Sequence, residues 1–214
     1  MRYLIVCGGK IDKEFGLNEI KTDGIDAIIA ADSGMDFLYE NGVTPDIIVG
    51  DFDSATTNAL EYFERKGQTE IRRLNPIKDD TDTEYAIRLA ISEGARSIVV
   101  LGATGSRIDH VLGNISLLGI GLESGTDICI IDTNNRIRMA DKPVTIEKSA
   151  QYGRFVSLIA LTDDNEVSLK GFKYPVTDYS FDRFTSLGIS NEIVDDHALI
   201  DIHRGKFIII ESKD

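Results

Sequence analysis

Two acidic stretches carry the first chemical signal in this chain. In Pro45-Asp46-Ile47-Ile48-Val49-Gly50-Asp51-Phe52-Asp53-Ser54, an apolar run stops at Gly50 and two carboxylates follow. Residues two apart in an extended segment point the same way, so Asp51 and Asp53 can converge on one ion. Lys78-Asp79-Asp80-Thr81-Asp82 comes just after Pro76 and opens a helical pattern. Acids at a helix start often only complement its dipole, and Asp and Ser also favour turns. Two such loops at strand ends of one sheet need more, because gathered carboxylates repel unless a cation neutralises them. Hard oxygen donors select Mg²⁺, which keeps several waters and shares its shell with substrate phosphates. Asp51 and Asp53 are candidate ligands, and the Lys78–Asp82 cluster could bring further carboxylates to the same ion.

Three further clusters sit at comparable places. Leu101-Gly102 leads into Ala103-Thr104-Gly105-Ser106-Arg107-Ile108-Asp109-His110. Small residues there let the backbone approach a ligand, the following helix offers N–H groups to an anion, and Arg107 supplies a planar fork for phosphate. Asn114 follows His110 by one helical turn and shares its face. Ala30-Ala31-Asp32-Ser33-Gly34 ends an apolar run in the same manner, with a helix cap at Asp32 or Ser33 as the plainer role. Toward the C-terminus, Gly171-Phe172-Lys173-Tyr174-Pro175 and Ser186-Leu187-Gly188-Ile189-Ser190-Asn191-Glu192 offer an aromatic face with hydroxyl and amide groups. His197, His203, Cys7 and Cys129 lack zinc-ligand spacing.

The elements needed to position these loops are legible. Short apolar runs at Tyr3–Cys7, Ala27–Ala31, Ile47–Val49, Glu70–Leu74, Ser97–Leu101 and Asp127–Ile131 alternate with helical patterns at Met35–Glu40, Asn58–Lys66, Thr83–Glu93 and Val111–Glu123. Strands apolar on both faces belong to a sheet covered on both sides, so the N-terminal part reads as a doubly wound, mostly parallel α/β sheet. Thr81 with Glu84 forms a capping-box pattern before the third of these helices. Beyond Lys142-Pro143 the rhythm turns to β without helices. Ala198–His203, Arg204-Gly205 and Lys206–Glu211 read there as a hairpin. We divide the chain into an α/β domain over residues 1–140 and an antiparallel β domain over 141–214.

The 214 residues carry 23 Lys and Arg against 36 Asp and Glu, a net charge of −13. Nucleic-acid binding needs a basic face, and docking on an anionic membrane needs basic clusters; neither is expected. Tyr3–Cys7 is too short for a signal-peptide core, and Cys7 and Cys129 read as buried reduced thiols, so a cytoplasmic location is expected.

Taken in order, Asp32-Ser33-Gly34, Pro45 to Ser54, Lys78 to Asp82, Gly102 to His110 with Asn114, and Ser190-Asn191-Glu192 resemble the thiamine pyrophosphokinase family. Ser33 and Ser106 stand where relatives often carry Gly. The resemblance implies transfer of pyrophosphate from ATP to the hydroxyethyl group of thiamine, giving thiamine diphosphate and AMP. It also implies a C-terminal β-sandwich and a homodimer whose active site lies between subunits. Asp51, Asp53, Asp82 and Lys78 would then form the catalytic group, with Mg²⁺ on Asp51, Asp53, Asp79 and Asp82. Asp32, Ser33, Asp79, Arg107, Asp109, His110 and Asn114 would contact ATP, and Tyr174, Ser190 and Asn191 would contact thiamine. An Asp-x-Asp glycosyltransferase would use Asp51 and Asp53 but leave Lys78 and Ser190 without a role. A nonenzymatic nucleotide or thiamine sensor would keep the pocket and lose turnover.

Overall fold

The computed structural model describes residues 1–52, 57–75 and 80–214, and Asp53, Lys78 and Asp79 fall outside them. The chain divides into two compact units, Met1–Thr133 and Asn134–Asp214.

The first unit alternates β1 (Arg2–Val6), α1 (Lys13–Ile20), β2 (Ala27–Ala31), α2 (Gly34–Glu40), β3 (Ile47–Gly50), α3 (Thr57–Lys66), β4 (Glu70–Arg73), α4 (Asp82–Ser92), β5 (Ser97–Leu101), α5 (Ile108–Ser124) and β6 (Asp127–Ile131). Its strands are parallel, in the order β6-β5-β1-β2-β3-β4. The chain steps outward from β1 to β4, then returns to lay β5 on the other side of β1. Right-handed crossovers in opposite directions put their helices on opposite faces. Accordingly α2 touches α3, and α4 touches α5 while crossing β1, β2 and β3. Leu4, Val6, Ala30, Ile48, Val99 and Leu101 from the strands pack with Met35, Leu38 and Phe63 from the helices.

Caps explain two helix starts. Asp12 accepts a hydrogen bond from Phe15 N at 2.9 Å and opens α1, a short helix the periodicity of the sequence does not reveal. Thr81 accepts from Glu84 N at 3.2 Å and opens α4. The Glu84 carboxylate turns to Arg88 at 2.7 Å, so the forward half of the expected capping box is made and its acid serves an i,i+4 pair.

The second unit is a β-sandwich. One sheet orders β12 (Asn191–Glu192), β9 (Phe155–Ala160), β14 (Phe207–Ser212) and β7 (Asn135–Ala140). The other orders β11 (Val176–Ser180), β10 (Glu166–Lys170), β13 (His197–Arg204) and β8 (Val144–Glu147). Both are antiparallel, and alternating residues from both fill one core, including Val156, Leu158, Val167, Leu169, Ala198, Ile200, Phe207 and Ile209. β7 ends at the residue where the sequence division was drawn, and it pairs with β14.

The hairpin expected at Arg204-Gly205 does not form. β13 pairs with β10 and β8, whereas β14 pairs with β7 and β9, so the chain crosses from one sheet to the other. Phe207, Ile208 and Ile209 are buried in succession, which suits a central strand and not the outer arm of a two-stranded ribbon. The order β6-β5-β1 sets a strand between Cys129 and Cys7, and no disulfide joins them. Cys7 is buried as expected, while Cys129 is only partly so. No helix among the described residues is long and apolar enough to cross a membrane.

Candidate active site

In an open parallel sheet, ligands bind where successive connections diverge, beyond the carboxyl ends of the strands. Here that point lies between β1 and β5. Cys7 N donates to Leu101 O at 2.8 Å and Gly9 N to Gly102 O at 2.9 Å, extending the two strands into adjoining loops. A β-carbon on Gly9 would overlap the Gly102 carbonyl oxygen, and Gly102, at φ 68°, lies against the Cys7 carbonyl oxygen. Only glycine allows this approach with that backbone. Gly8 and Gly9 were not singled out from the sequence; their signal was a glycine pair at the end of the first strand.

The loop after β5 is held from two sides. Thr104 Oγ1 donates to Asp132 Oδ2 at 2.7 Å, and Asn114 Nδ2 donates to Ala103 O at 2.8 Å. Asn114 therefore ties the start of this loop to α5. Arg107 precedes α5 and pairs with Asp109 at 2.6 Å, both side chains being well exposed. The Arg107 hydrogen bond, with the backbone at His110, holds the Asp109 carboxyl below its usual range. His110 is exposed in the first turn of α5.

Beside the crevice, β2 and β3 end together. Asp32 N donates to Val49 O at 2.8 Å, and Ala31 pairs with Val49, so Asp32 and Asp51 leave neighbouring strands at nearly the same level. Asp82 arrives from elsewhere, as the first residue of α4. One carboxylate oxygen from each of Asp32, Asp51 and Asp82 lies within 4.8 Å of the others, and all three residues are partly buried. Three partly buried carboxylates at this spacing favour a hard divalent cation over mutual repulsion. The structure thus joins Asp51 to Asp82 as the sequence led us to expect, and adds Asp32, which the sequence pointed toward nucleotide binding or a helix cap.

Phe52 is left-handed at φ 65°, whereas the sequence reading assumed extended backbone there; Asp53 lies outside the described residues. Arg73 stacks over the Phe52 ring at 5.4 Å. Asp32 is left-handed as well, at φ 48°. Such conformations cost energy in a residue with a side chain and cluster at working sites. Ser33 precedes α2 without a side-chain cap, and its hydroxyl packs against Gly8. Cys7 meets Thr83 Oγ1 at 3.4 Å. Burial pushes its thiol up to about 11, Thr83 opposes and Asp82 adds to the rise, so Cys7 stays protonated and packs.

In the second unit, Tyr174, Ser190 and Asn191 come together. Tyr174 is 62% exposed. Asn191 is buried and bonds the Tyr174 backbone, with Oδ1 accepting from Tyr174 N at 3.0 Å and Nδ2 donating to Tyr174 O at 2.9 Å. Ser190 is exposed at φ 60°, and its N–H donates to Ser157 Oγ at 2.9 Å.

Known proteins share this organisation. The thiamin pyrophosphokinase catalytic-domain family model matches residues 21–130, and the thiamin pyrophosphokinase vitamin B1 binding domain matches residues 143–207. Thiamine pyrophosphokinase of Bacillus subtilis is 34% identical over 188 residues, covering 87% of each chain. The crystal structure of the thiamine pyrophosphokinase from Bacillus subtilis superposes with a TM-score of 0.89 at 31% identity, covering 100% of both chains. That from Geobacillus thermodenitrificans gives 0.87 at 29% identity, covering 100% of this chain and 98% of the other.

Proposed function

The chain belongs to the thiamine pyrophosphokinase family, and from that premise we propose how its residues carry the family reaction. The enzyme transfers pyrophosphate from ATP to thiamine. The thiamine hydroxyl oxygen bonds to the β-phosphorus and gives up its proton to solvent, the bond from that phosphorus to the α,β-bridging oxygen breaks, and AMP leaves with that oxygen. Charge spreads over phosphate oxygens during this step, so positioning and electrostatics dominate the barrier.

The convergence of Asp32, Asp51 and Asp82 beside the β1–β5 crevice carries the residue assignment. These three, with Asp53 and Asp79 from outside the described residues, would hold Mg²⁺. Bound there, Mg²⁺ would neutralise charge on the phosphates. Gly9 and Gly102 let the loops after β1 and β5 pack backbone to backbone at the crevice. Arg107 and Lys78 would meet phosphate oxygens, with Arg107 passing from Asp109 to its ligand. Ser33, Asp109 and His110 would contact the nucleotide, and Asn114 fixes the start of the loop that leads to Arg107 and α5. Tyr174, Ser190 and Asn191 would form the thiamine site.

We further propose a homodimer that shares its active sites between subunits. Phe184, Leu187, Ile189 and Val194 expose an apolar set in the second unit, which suits a protein contact. Free cysteines at Cys7 and Cys129 suit a reducing compartment such as the cytoplasm.

Incubation with ATP, Mg²⁺ and thiamine tests the reading. AMP and thiamine diphosphate in equal amounts support it. ADP release, or thiamine binding without product, would sink it. Mixing Asp51→Asn chains with weakly binding Tyr174→Ala chains should raise activity at low thiamine above the sum of the two alone if sites are shared across the dimer, and no gain would refute the sharing.

A further inference from the structure

The segments 171–174 and 191–194 run antiparallel to each other. Val194 N donates to Gly171 O at 2.9 Å, Phe172 bridges Ile193, and Lys173 N donates to Glu192 O at 2.8 Å. The next rung would pair Tyr174 with Asn191. At that level the Asn191 backbone is engaged elsewhere, since Asn191 pairs with Val156 in β9. The Asn191 side chain makes the rung instead, accepting from Tyr174 N and donating to Tyr174 O. Pro175 restricts Tyr174 to extended backbone, and an extended residue turns its N–H and C=O to one side, where a primary amide meets both. The Asn191 oxygen also accepts from Glu192 N at 2.9 Å, so three of the four hydrogen-bonding positions of this buried amide serve the backbone.

Glu192 secures the neighbouring residue. Its two carboxylate oxygens take Lys173 Nζ at 2.9 Å and Arg154 Nε at 2.8 Å. Residue 173 is thus held by Glu192 and residue 174 by Asn191, while the Tyr174 ring stands out from the loop.

We infer that Asn191 is a positioning residue that acts through Tyr174: its amide replaces a missing ladder rung and fixes the presentation of the Tyr174 ring to thiamine. This rests on the reading that the second unit takes thiamine. It departs from the sequence expectation in which Asn191 itself bonds the substrate.

The test is a double-mutant cycle on thiamine affinity, measured by calorimetry on the full chain with Asn191→Ala, Tyr174→Ala and the combination. Each single change should weaken binding about 10-fold, the scale of lost hydrogen bonds or a lost ring contact. The double variant should be no weaker than the weaker single variant, because the amide has no effect once the ring is gone. Trypsin should also cut after Lys173 faster in Asn191→Ala. Should Asn191→Ala fail to fold, Asn191→Asp keeps the accepting oxygen, removes the donor to Tyr174 O, and enters the same cycle. Additive losses, or wild-type affinity in Tyr174→Ala, would overturn the inference while leaving the thiamine reading in place. A wild-type chain that binds no thiamine would overturn the reading itself.

Discussion

Asp32 and Asp51 present carboxylate oxygens within 4.8 Å of each other from the ends of adjacent parallel strands, and Asp82 completes the set from the start of a helix. Like charges this close favour a cation among them. Activity and stabilisation by Mg²⁺ should therefore fall together when one is removed. Asp32→Asn, Asp51→Asn and Asp82→Asn should each lower turnover about 10²-fold or more, the scale of lost transition-state electrostatics. Mg²⁺ should raise the wild-type melting temperature more than theirs. An Mg²⁺ shift in all three equal to that of wild type would refute the cation site.

The close approach of Gly9 to Gly102 gives a second prediction. Gly9→Ala puts a methyl group onto a carbonyl oxygen and must push β1 and β5 apart at their carboxyl ends. Overpacking of this kind costs about 1–3 kcal/mol. Denaturant unfolding should show that loss, and KM for ATP should rise more than KM for thiamine. Equal rises would mean that the crevice is not the nucleotide site.

Ser190 combines a left-handed backbone with a proposed thiamine contact, and the two can be separated. Ser190→Gly removes the hydroxyl and relaxes the backbone at φ 60°, whereas Ser190→Ala removes the hydroxyl and keeps the strain. Glycine should be more stable than alanine there by about 1 kcal/mol. Both should raise KM for thiamine to a similar degree. A glycine variant with wild-type KM would show that the hydroxyl does not touch the substrate.

Glu192 predicts an acid-side effect. Hydrogen bonds from Lys173 and then Arg154 lower its pKa to about 2 from an ordinary 4.5. A depressed folded-state value means the contribution is complete above the unfolded value and fades as pH falls toward the folded one. The stability gap between wild type and Glu192→Gln should be constant above about pH 5, shrink from 4.5 downward and close near pH 2. Chemical denaturation across that range measures it, and a gap that widens with acid would contradict the ion-pair fork.

The sequence by itself determined the alternation of strand and helix in the first unit, because parallel strands covered on both faces must be apolar throughout. It also determined the start of α4, since Thr81 and Glu84 are neighbours whose capping geometry is local. The acidic loop ends holding Asp51 and Asp82 were legible as candidates for the same reason. Tertiary structure decided the rest. Asp32 joins Asp51 and Asp82 only because Ala31 registers with Val49 and α4 crosses the sheet, facts about pairing that local spacing does not encode. Gly205 suits a tight turn in either setting, yet burial of Phe207 to Ile209 sends β14 into the opposite sheet. Asn191 is polar in the sequence and reads as a ligand group; its amide is committed to Tyr174 because β9 has claimed its backbone. Local chemistry proposes donors and acceptors, and long-range packing chooses which of them remain available to a substrate.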